Sequence, residues 1–250
     1  MKKHIIISLF LSLPFFAHSQ SLVEDLMSQN ETLGYYQNRY PLKDPYTKLV
    51  DNSGNGFNAL YGVRNFRAVL NGVVYRGGAN NTHNKYGARS NSNPLPNIGL
   101  QNLCKEGFGT AIYLYNTNYN TAPKTTACAS PFESKHTLNY IQQSPLSSTT
   151  ALKNILNVVY KRLSDETATS PIYVHCWNGW HASGYTSAII LRQFCGYTGD
   201  QAVNYWNLNT DGNNVGSAYN SIRTKIRAYK VDPSMSIASS LQAQICPAKR

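Results

Sequence analysis

The residues best suited to chemistry lie at positions 175–183 of this 250-residue chain, where the sequence reads HCWNGWHAS. The apolar run 171–174 predicts a short buried strand that leads directly into His175 and Cys176. Gly179 then marks a turn, and a helix is predicted over 183–195. In such a strand, turn and helix, backbone N–H groups converge on one point in front of the positive end of the helix dipole. We therefore expect the turn to hold a phosphate-like anion.

The thiol of Cys176 lies at the edge of that expected anion site. The same field stabilises a thiolate, which makes a cysteine there a candidate nucleophile. His175 can fix the loop by hydrogen bonding, and Ser183 can donate a hydrogen bond to the sulfur or to a departing group. A merely buried thiol is the alternative, because the strand at 172–174 is apolar enough to enclose it. The further candidate contacts of a ligand are Trp177, Asn178, Gly179, Trp180, Ala182 and Arg76.

The chain begins with a segment typical of a secretory signal peptide, predicted over residues 1–19. Two lysines precede an apolar run that ends at Ala17, and Ala17-His18-Ser19 has small residues at the two cleavage positions. The run is shorter than the roughly 20 residues that span a bilayer, and no other stretch approaches that length. We expect a secreted or periplasmic protein, with an uncleaved anchor as the alternative.

Cysteine number fits such an oxidising compartment. Four of the five cysteines can form two disulfides, which leaves one over. Cys176 is predicted to be the free one because it stands between a strand and a glycine turn, where a nucleophile would be presented. The sequence leaves the pairing of the others open; they are Cys104, Cys128, Cys195 and Cys246.

The charge balance points to anionic partners. Lys and Arg number 23 against 12 Asp and Glu, a formal net charge of +11. Such a balance favours anionic partners such as phosphorylated molecules, anionic lipid or nucleic acid. Among them we expect a phosphorylated or other anionic small molecule, a lipid headgroup or a protein. The positive charges are scattered and form no dense run, which disfavours nucleic acid and leaves a functionally idle basic surface as the alternative.

The order of the predicted elements indicates one α/β domain with a mostly parallel central sheet of about four to five strands and helices on both faces. We assign residues 20–55 to a Tyr/Asn-rich extension, 56–231 to the domain and 232–250 to a tail. The polar segment 116–135 is predicted as a long loop bordering the site. Strands are predicted at 72–78, 110–115, 137–142 and 171–174, and helices at 98–106, 150–166, 183–195 and 201–206, the last capped by Asp200.

The loop resembles the signature of the cysteine-dependent protein tyrosine and dual-specificity phosphatases, His-Cys-x-x-Gly-x-x-Arg followed by Ser or Thr between a strand and a helix. His175, Cys176, Gly179 and Ser183 match it. Upstream, residues 65–67 (NFR) and 74–78 (VYRGG) are similar to the opening of the bacterial tyrosine phosphatases, so the resemblance spans roughly 60–210. It implies a phosphatase-like fold and hydrolysis of a phosphate ester through a phosphocysteine at Cys176, with no cofactor.

The chain departs from that family at the arginine and at the general acid. Ala182 replaces the arginine whose fork holds two phosphate oxygens. The family's Asp-Leu-Arg strand has become Tyr-Leu-Tyr at 113–115, and no aspartate follows before the helix at 150. Glu133 and Asp211 are the nearby carboxylates that we consider as general acids. Substitute cations are a protonated His181, Arg76 or Arg67.

Three other functions remain open from the sequence. The first is a catalytically inactive pseudophosphatase that binds an anion or a partner. The second is a non-phosphatase cysteine hydrolase or transferase, with His136 or His181 favoured over His175 as base. The third, a metal site made by His175, Cys176 and His181, is disfavoured because no further Cys/His pair stands at ligand spacing.

Overall fold

The computed structural model of the protein describes residues 28–80 and 94–249. The predicted signal peptide, the start of the extension and much of the loop after residue 80 lie outside the described residues. Six strands form one sheet in the order β1-β2-β6-β3-β5-β4. The strands are β1 Val63–Leu70, β2 Val74–Ala79, β3 Thr110–Tyr113, β4 Thr125–Cys128, β5 His136–Gln142 and β6 Ile172–Cys176.

The four inner strands, β2, β6, β3 and β5, are parallel, and the two edge strands pair antiparallel to their neighbours. Helices cover both faces. They are α1 Gln29–Arg39, α2 Asn97–Lys105, α3 Thr149–Ser164, α4 His181–Cys195, α5 Gly199–Leu208, α6 Asn220–Ala228 and α7 Ser239–Ile245. The predicted α/β fold with a mostly parallel sheet is confirmed, with six strands among the described residues.

The long helix α3 illustrates why the predicted elements form. Most of its apolar residues recur at helical spacing and are buried on one side, and the Ser148 hydroxyl caps it by accepting from the N–H of Ala151. The prediction that Asp200 caps α5 is wrong. Thr198 caps α5 in a capping box with Gln201, while Asp200 in the first turn pairs with Arg227.

Two strands, β1 and β4, are not predicted by the alternation of apolar and polar residues. β1 contains Arg64, Asn65 and Arg67, a polar pattern that suggests exposure, yet the whole strand is buried. β4 lies inside the segment that we predicted as a long loop, because a short edge strand of Thr, Ala and Cys carries little apolar signal. The 116–135 prediction is therefore wrong over residues 125–128.

The two faces of the sheet have different cores. One core is mainly aliphatic and contains the buried sides of α3, α4 and α5. The other is aromatic and contains Tyr36 and Tyr40 of the predicted extension. Successive residues of a strand point to opposite faces, so Cys176 belongs to the aliphatic side while His175 stacks on the rings of the aromatic side.

Two disulfides join Cys104 to Cys128 and Cys195 to Cys246, and Cys176 is free, as predicted. The second disulfide anchors the predicted tail, where Ile245 is fully buried and its carbonyl accepts from the N–H of Asn71. Over residues 28–80 and 94–249, no helix combines the length and the apolar character needed to cross a bilayer.

Candidate functional site

The candidate site lies at the carboxyl ends of the parallel strands. β6 ends at Cys176, residues 177–180 form a tight turn, and α4 begins at His181. Gly78 of β2 is level with Cys176, and a Cβ atom on Gly78 would lie 2.5 Å from the carbonyl carbon of Asn178. Gly179 has φ +80° and would bring a Cβ within 2.7 Å of Gly77. Both glycines are needed for the turn to pack this closely on β2.

Side chains from β1 and β2 hold the turn from behind. The Arg76 guanidinium donates to the carbonyl of Gly179 and, at 3.3 Å, to that of Trp180. The amide of Asn65 donates to the carbonyl of Asn178 at 2.7 Å. Asn65 itself has φ +52°, a left-handed conformation that asparagine tolerates better than most residues. The contact of Asn65 with the turn could not be predicted from the sequence, because it joins residues 113 positions apart.

The carbonyls of five consecutive residues, 176–180, all accept hydrogen bonds from protein donors. The carbonyl of Cys176 accepts from His175 Nδ1 at 3.2 Å and that of Trp177 from the N–H of Ala79 at 2.9 Å. A trans peptide unit directs its N–H away from its carbonyl, so the N–H groups of residues 177–181 point away from the donors that hold the turn. Within the described part of the chain, the N–H groups of Gly179, Trp180 and His181 have no acceptor. These are the N–H groups from which the sequence predicts an anion-binding cradle.

The thiol of Cys176 lies beside this cradle. Its sulfur is 3.4 Å from the Ser183 hydroxyl, and the residue is only 3% exposed. The Ser183 hydroxyl also accepts from Arg76 at 3.3 Å. The structure therefore brings together two of the predicted catalytic residues, Cys176 and Ser183, and connects them to a buried arginine.

Ala182 has no exposed surface and packs in the aliphatic core. Its methyl group offers neither charge nor hydrogen bonds to a ligand. Arg76, considered as a substitute cation, is also fully buried, and its described hydrogen-bond partners are neutral oxygens. It lies on the carbonyl side of the turn and not on the side of the N–H groups.

His175 points to the face of the sheet opposite the Cys176 side chain. Burial lowers the pKa of its imidazole to about 3, so the ring is neutral. Because its Nδ1 donates to the Cys176 carbonyl, its Nε2 accepts from the Tyr140 hydroxyl at 2.9 Å. His175 orients the loop, as the sequence suggested, and does not reach the thiol as a base.

Aromatic side chains flank the turn. The Trp177 ring stacks on Tyr115 at 4.6 Å between centroids, and its Nε1 donates to the Tyr113 hydroxyl at 2.8 Å. His181 stacks on Tyr219 at 4.6 Å, and its Nε2 donates to the carbonyl of Asn213. Each of the two predicted residues has a neighbour that orients its ring, and His181 projects from the first turn of α4.

Asp211 is the candidate general acid that contacts the loop. Its carboxylate accepts from Lys48 at 2.7 Å, from Arg67 at 3.2 Å and from the Trp180 indole at 2.9 Å. Partial burial raises its pKa, but the hydrogen bond from Lys48 and the charge of Arg67 outweigh burial and hold the pKa below its usual value. A carboxylate that is ionised and accepts three hydrogen bonds is a poor proton donor. Asp211 instead holds the Trp180 indole in place.

Three arginines, Arg64, Arg67 and Arg76, form a buried cationic layer beneath the turn. Arg64 donates to the side chain of Asn178 at 3.2 Å, and its guanidinium lies 5.8 Å from the centre of the Trp180 ring. Burial and the neighbouring charge of Arg76 lower the pKa of Arg67 to about 10. Sequence analysis gave Arg64 no role, since the residue it contacts is 114 positions away.

Glu133 and His136 lie at the other end of the sheet. His136 begins β5, and strand geometry places it seven residues, roughly 23 Å, from the level of Cys176. Its ring bonds to Glu133 at 3.1 Å and to the Phe108 carbonyl at 2.9 Å. The suggestions of Glu133 as general acid and His136 as base are therefore wrong.

A metal centre fits this geometry poorly as well. His175 and Cys176 point to opposite faces of the sheet, and His181 bonds to a backbone carbonyl. No group of three or more His, Cys, Asp or Glu side chains suited to a metal ion occurs in the described ranges. The chemistry that remains is anion binding by N–H groups and reaction at a thiol.

A separate groove of about 630 Å³ lies at the far end of the sheet, where its lining includes His136, Lys161 and Arg162. It contains no residue of the Cys176 turn. No protein-family model and no curated protein matches this chain, so the geometry of the site carries the functional conclusion.

Proposed function

We propose that this protein is a divergent, phosphatase-like protein whose Cys176 turn binds the phosphate group of a phosphorylated ligand, and that it acts as a pseudophosphatase. The observation that carries the proposal is the set of five consecutive loop carbonyls held from behind. The N–H groups of the same peptide units lie on the opposite side, at the start of a helix, and this position supports anion binding.

Two absences argue against rapid turnover. Ala182 supplies no fork to hold the phosphate oxygens in the transition state, and losing one preorganised donor costs about 10²- to 10³-fold in rate. Asp211, the carboxylate at the loop, is ionised and bonded to two cations. Binding needs neither a fork nor a proton donor, so it survives both changes.

Export is part of the proposal. Two disulfides and one free thiol suit a protein that folds in an oxidising compartment. The charged groups close to the loop also fit an anionic ligand, because Arg64, Arg67, Arg76 and Lys48 outnumber Asp211. The ligand classes we favour are a phosphorylated small molecule, a lipid headgroup or a phosphorylated protein.

The direct test is titration of the purified protein with inorganic phosphate and with vanadate, followed by calorimetry. We expect saturable one-to-one binding that Cys176→Ser retains, because serine removes the thiol and leaves the N–H groups in place. Vanadate that binds without any stable bond to sulfur fits a binding module. Absence of binding by both anions would contradict the proposal.

Slow hydrolysis is a second candidate, favoured by one contact. The Cys176 sulfur and the Ser183 hydroxyl are 3.4 Å apart, which suits a nucleophile and a group that donates to it when it leaves. In that reaction the sulfur would attack phosphorus, the ester oxygen would leave and water would then release phosphate from the thiophosphate. A single turnover with an aryl phosphate, quenched in acid, should trap phosphate on Cys176 if this occurs.

Ala182→Arg separates the two candidates. Because Ala182 is fully buried, folding of the variant is checked first by thermal unfolding. In a pseudophosphatase that still folds, the new arginine should create measurable phosphatase activity, whereas an enzyme that works without arginine should gain little. A non-phosphatase cysteine enzyme would instead be labelled at Cys176 by an acyl probe that phosphate does not displace. In the described residues no histidine nitrogen hydrogen-bonds to the sulfur, which weakens that alternative.

A further inference from the structure

Arg76, like Arg162, is a buried cation whose described hydrogen-bond partners are all neutral oxygens. It has no exposed surface, and its described hydrogen-bond partners are the Gly179 and Trp180 carbonyls and the Ser183 and Tyr205 hydroxyls, all of them neutral. A buried charge without a counter-ion is costly and is normally paired. An anion bound near Arg76 would offset this cost.

The peptide units that Arg76 holds are the ones that face the expected ligand. It donates to the carbonyls of Gly179 and Trp180, and the same two units carry the N–H groups of Trp180 and His181, which have no acceptor among the described residues. A cation at a carbonyl oxygen polarises the peptide and strengthens its N–H as a donor. The charge of Arg76 thus makes the N–H groups of Trp180 and His181 stronger donors to an anion.

We infer that Arg76 is a positioning residue that supplies, from behind the loop, the positive charge that the side chain at position 182 does not provide. This inference rests on the proposed anion site. It predicts that a bound oxyanion completes an ion pair with Arg76 across the loop, and that the guanidinium never touches the ligand. Such a site selects for negative charge, while the loop backbone selects for tetrahedral shape.

A matched control exists elsewhere in the chain. Arg162 is also buried and also donates to two successive backbone carbonyls, those of Thr169 and Ser170, at 2.8 and 2.9 Å. It belongs to the end of α3, remote from the Cys176 turn. Arg162→Met therefore reports the cost of losing a buried guanidinium without disturbing the cradle.

The experiment measures phosphate affinity by calorimetry at fixed ionic strength for wild type, Arg76→Met, Arg76→Lys and Arg162→Met, with thermal unfolding of each. Arg76→Met should weaken binding about tenfold to thirtyfold, the order expected at an effective dielectric constant near 20 when one charge across a peptide unit from the anion is lost. Arg76→Lys should recover part of the affinity, and Arg162→Met should lower stability without changing affinity.

A spectroscopic readout covers the case in which Arg76→Met does not fold. In wild type, the amide protons of Trp180 and His181 should move downfield on phosphate saturation, and the shift should be smaller in Arg76→Lys. Equal affinity or equal amide shifts in wild type and the Arg76 variants, or the same loss of affinity in Arg162→Met, would overturn the inference. Failure of wild type to bind phosphate would instead refute the proposed function.

Discussion

The two ends of the central sheet use similar side chains for different purposes. At each end a buried arginine donates to two successive backbone carbonyls, Arg76 at the Cys176 turn and Arg162 at the far end. At the far end the chain runs on into Pro171, which has no N–H, and then into a strand. At the Cys176 end it runs into a helix, whose first N–H groups have no acceptor within residues 28–80 and 94–249.

The same arginine contact thus precedes two different backbones, a proline and strand at the far end and a helix start at the Cys176 end, where we propose that an anion binds. The far end is also the cross-linked end. Cys128 is paired with the start of β5, and Cys195 is at the end of α4, which carries the chain about 22 Å from the turn. The free thiol is thereby kept apart from both disulfides.

The largest effect should come from opening the cross-linked end. Replacing Cys195 and Cys246 by alanine frees a segment of 51 residues and should lower the free energy of unfolding by about 4 kcal/mol. The Cys104–Cys128 pair, separated by 24 residues, should cost about 3.5 kcal/mol. Denaturant unfolding measures both losses.

Phosphate affinity of these folded disulfide variants should stay at the wild-type value, because the bridges lie away from the turn. A parallel loss of affinity would show that the two ends are coupled.

The second largest effect should come from filling the space between the turn and β2. Gly179→Ala combines φ +80° with a Cβ at 2.7 Å from backbone, and should cost about 3 kcal/mol and displace the turn, with loss of anion binding. Gly212→Ala is the control. It shares the positive φ of +78° but meets nothing within 4 Å, so it should cost about 1 kcal/mol and retain binding. Equal behaviour of the two variants would mean that close packing on β2 is not required.

The third effect is a pH dependence that belongs to the Cys176 end. The pKa of His175 is about 3 in the folded protein, against an ordinary value of 6.5 for the unfolded chain. Between these pH values the unfolded chain binds a proton at this residue and the folded chain does not. Stability contributed by this residue is complete above pH 6.5 and is lost as the pH falls towards 3. Between pH 7 and pH 5 the loss should be about 2 kcal/mol.

Comparison with His175→Gln isolates that contribution from the acidic residues. Urea unfolding at both pH values should show a loss in wild type that exceeds the loss in the variant by this amount. Parallel losses in the two proteins would mean that His175 does not remain neutral in the folded state.

The smallest effect should come from the carboxylate at the turn. Asp211→Asn removes the charge that faces Arg67 and Lys48 but keeps an oxygen that can accept from both, so we expect a loss of about 1 kcal/mol. Asp200→Asn removes the exposed pair with Arg227 and should change stability less. Thermal unfolding compares them. If Asp211→Asn also removes the slow activity of the second candidate function, Asp211 is a proton donor after all.

Much of the fold could be predicted, because α3, α4 and β6 bury apolar residues in the periodic patterns of helix and strand. β1 could not, since its burial depends on arginines whose partners come from other segments. The C-terminal helices α6 and α7 were also missed. They are short, and α7 is held by contacts such as the Cys195–Cys246 disulfide that no local pattern reveals.

The sequence alone predicts where the candidate site lies, since an apolar strand, a glycine turn and a helix around Cys176 are local features that specify the proposed N–H cradle. It also determined that one thiol of five remains free. Only the tertiary structure decided the role of each charge. Arg76 is 103 residues from the carbonyl of Gly179, and Arg67 is 144 residues from Asp211. Electrostatic partners are chosen by distance in space, which chain spacing does not encode, whereas turns and helices form from neighbours in sequence.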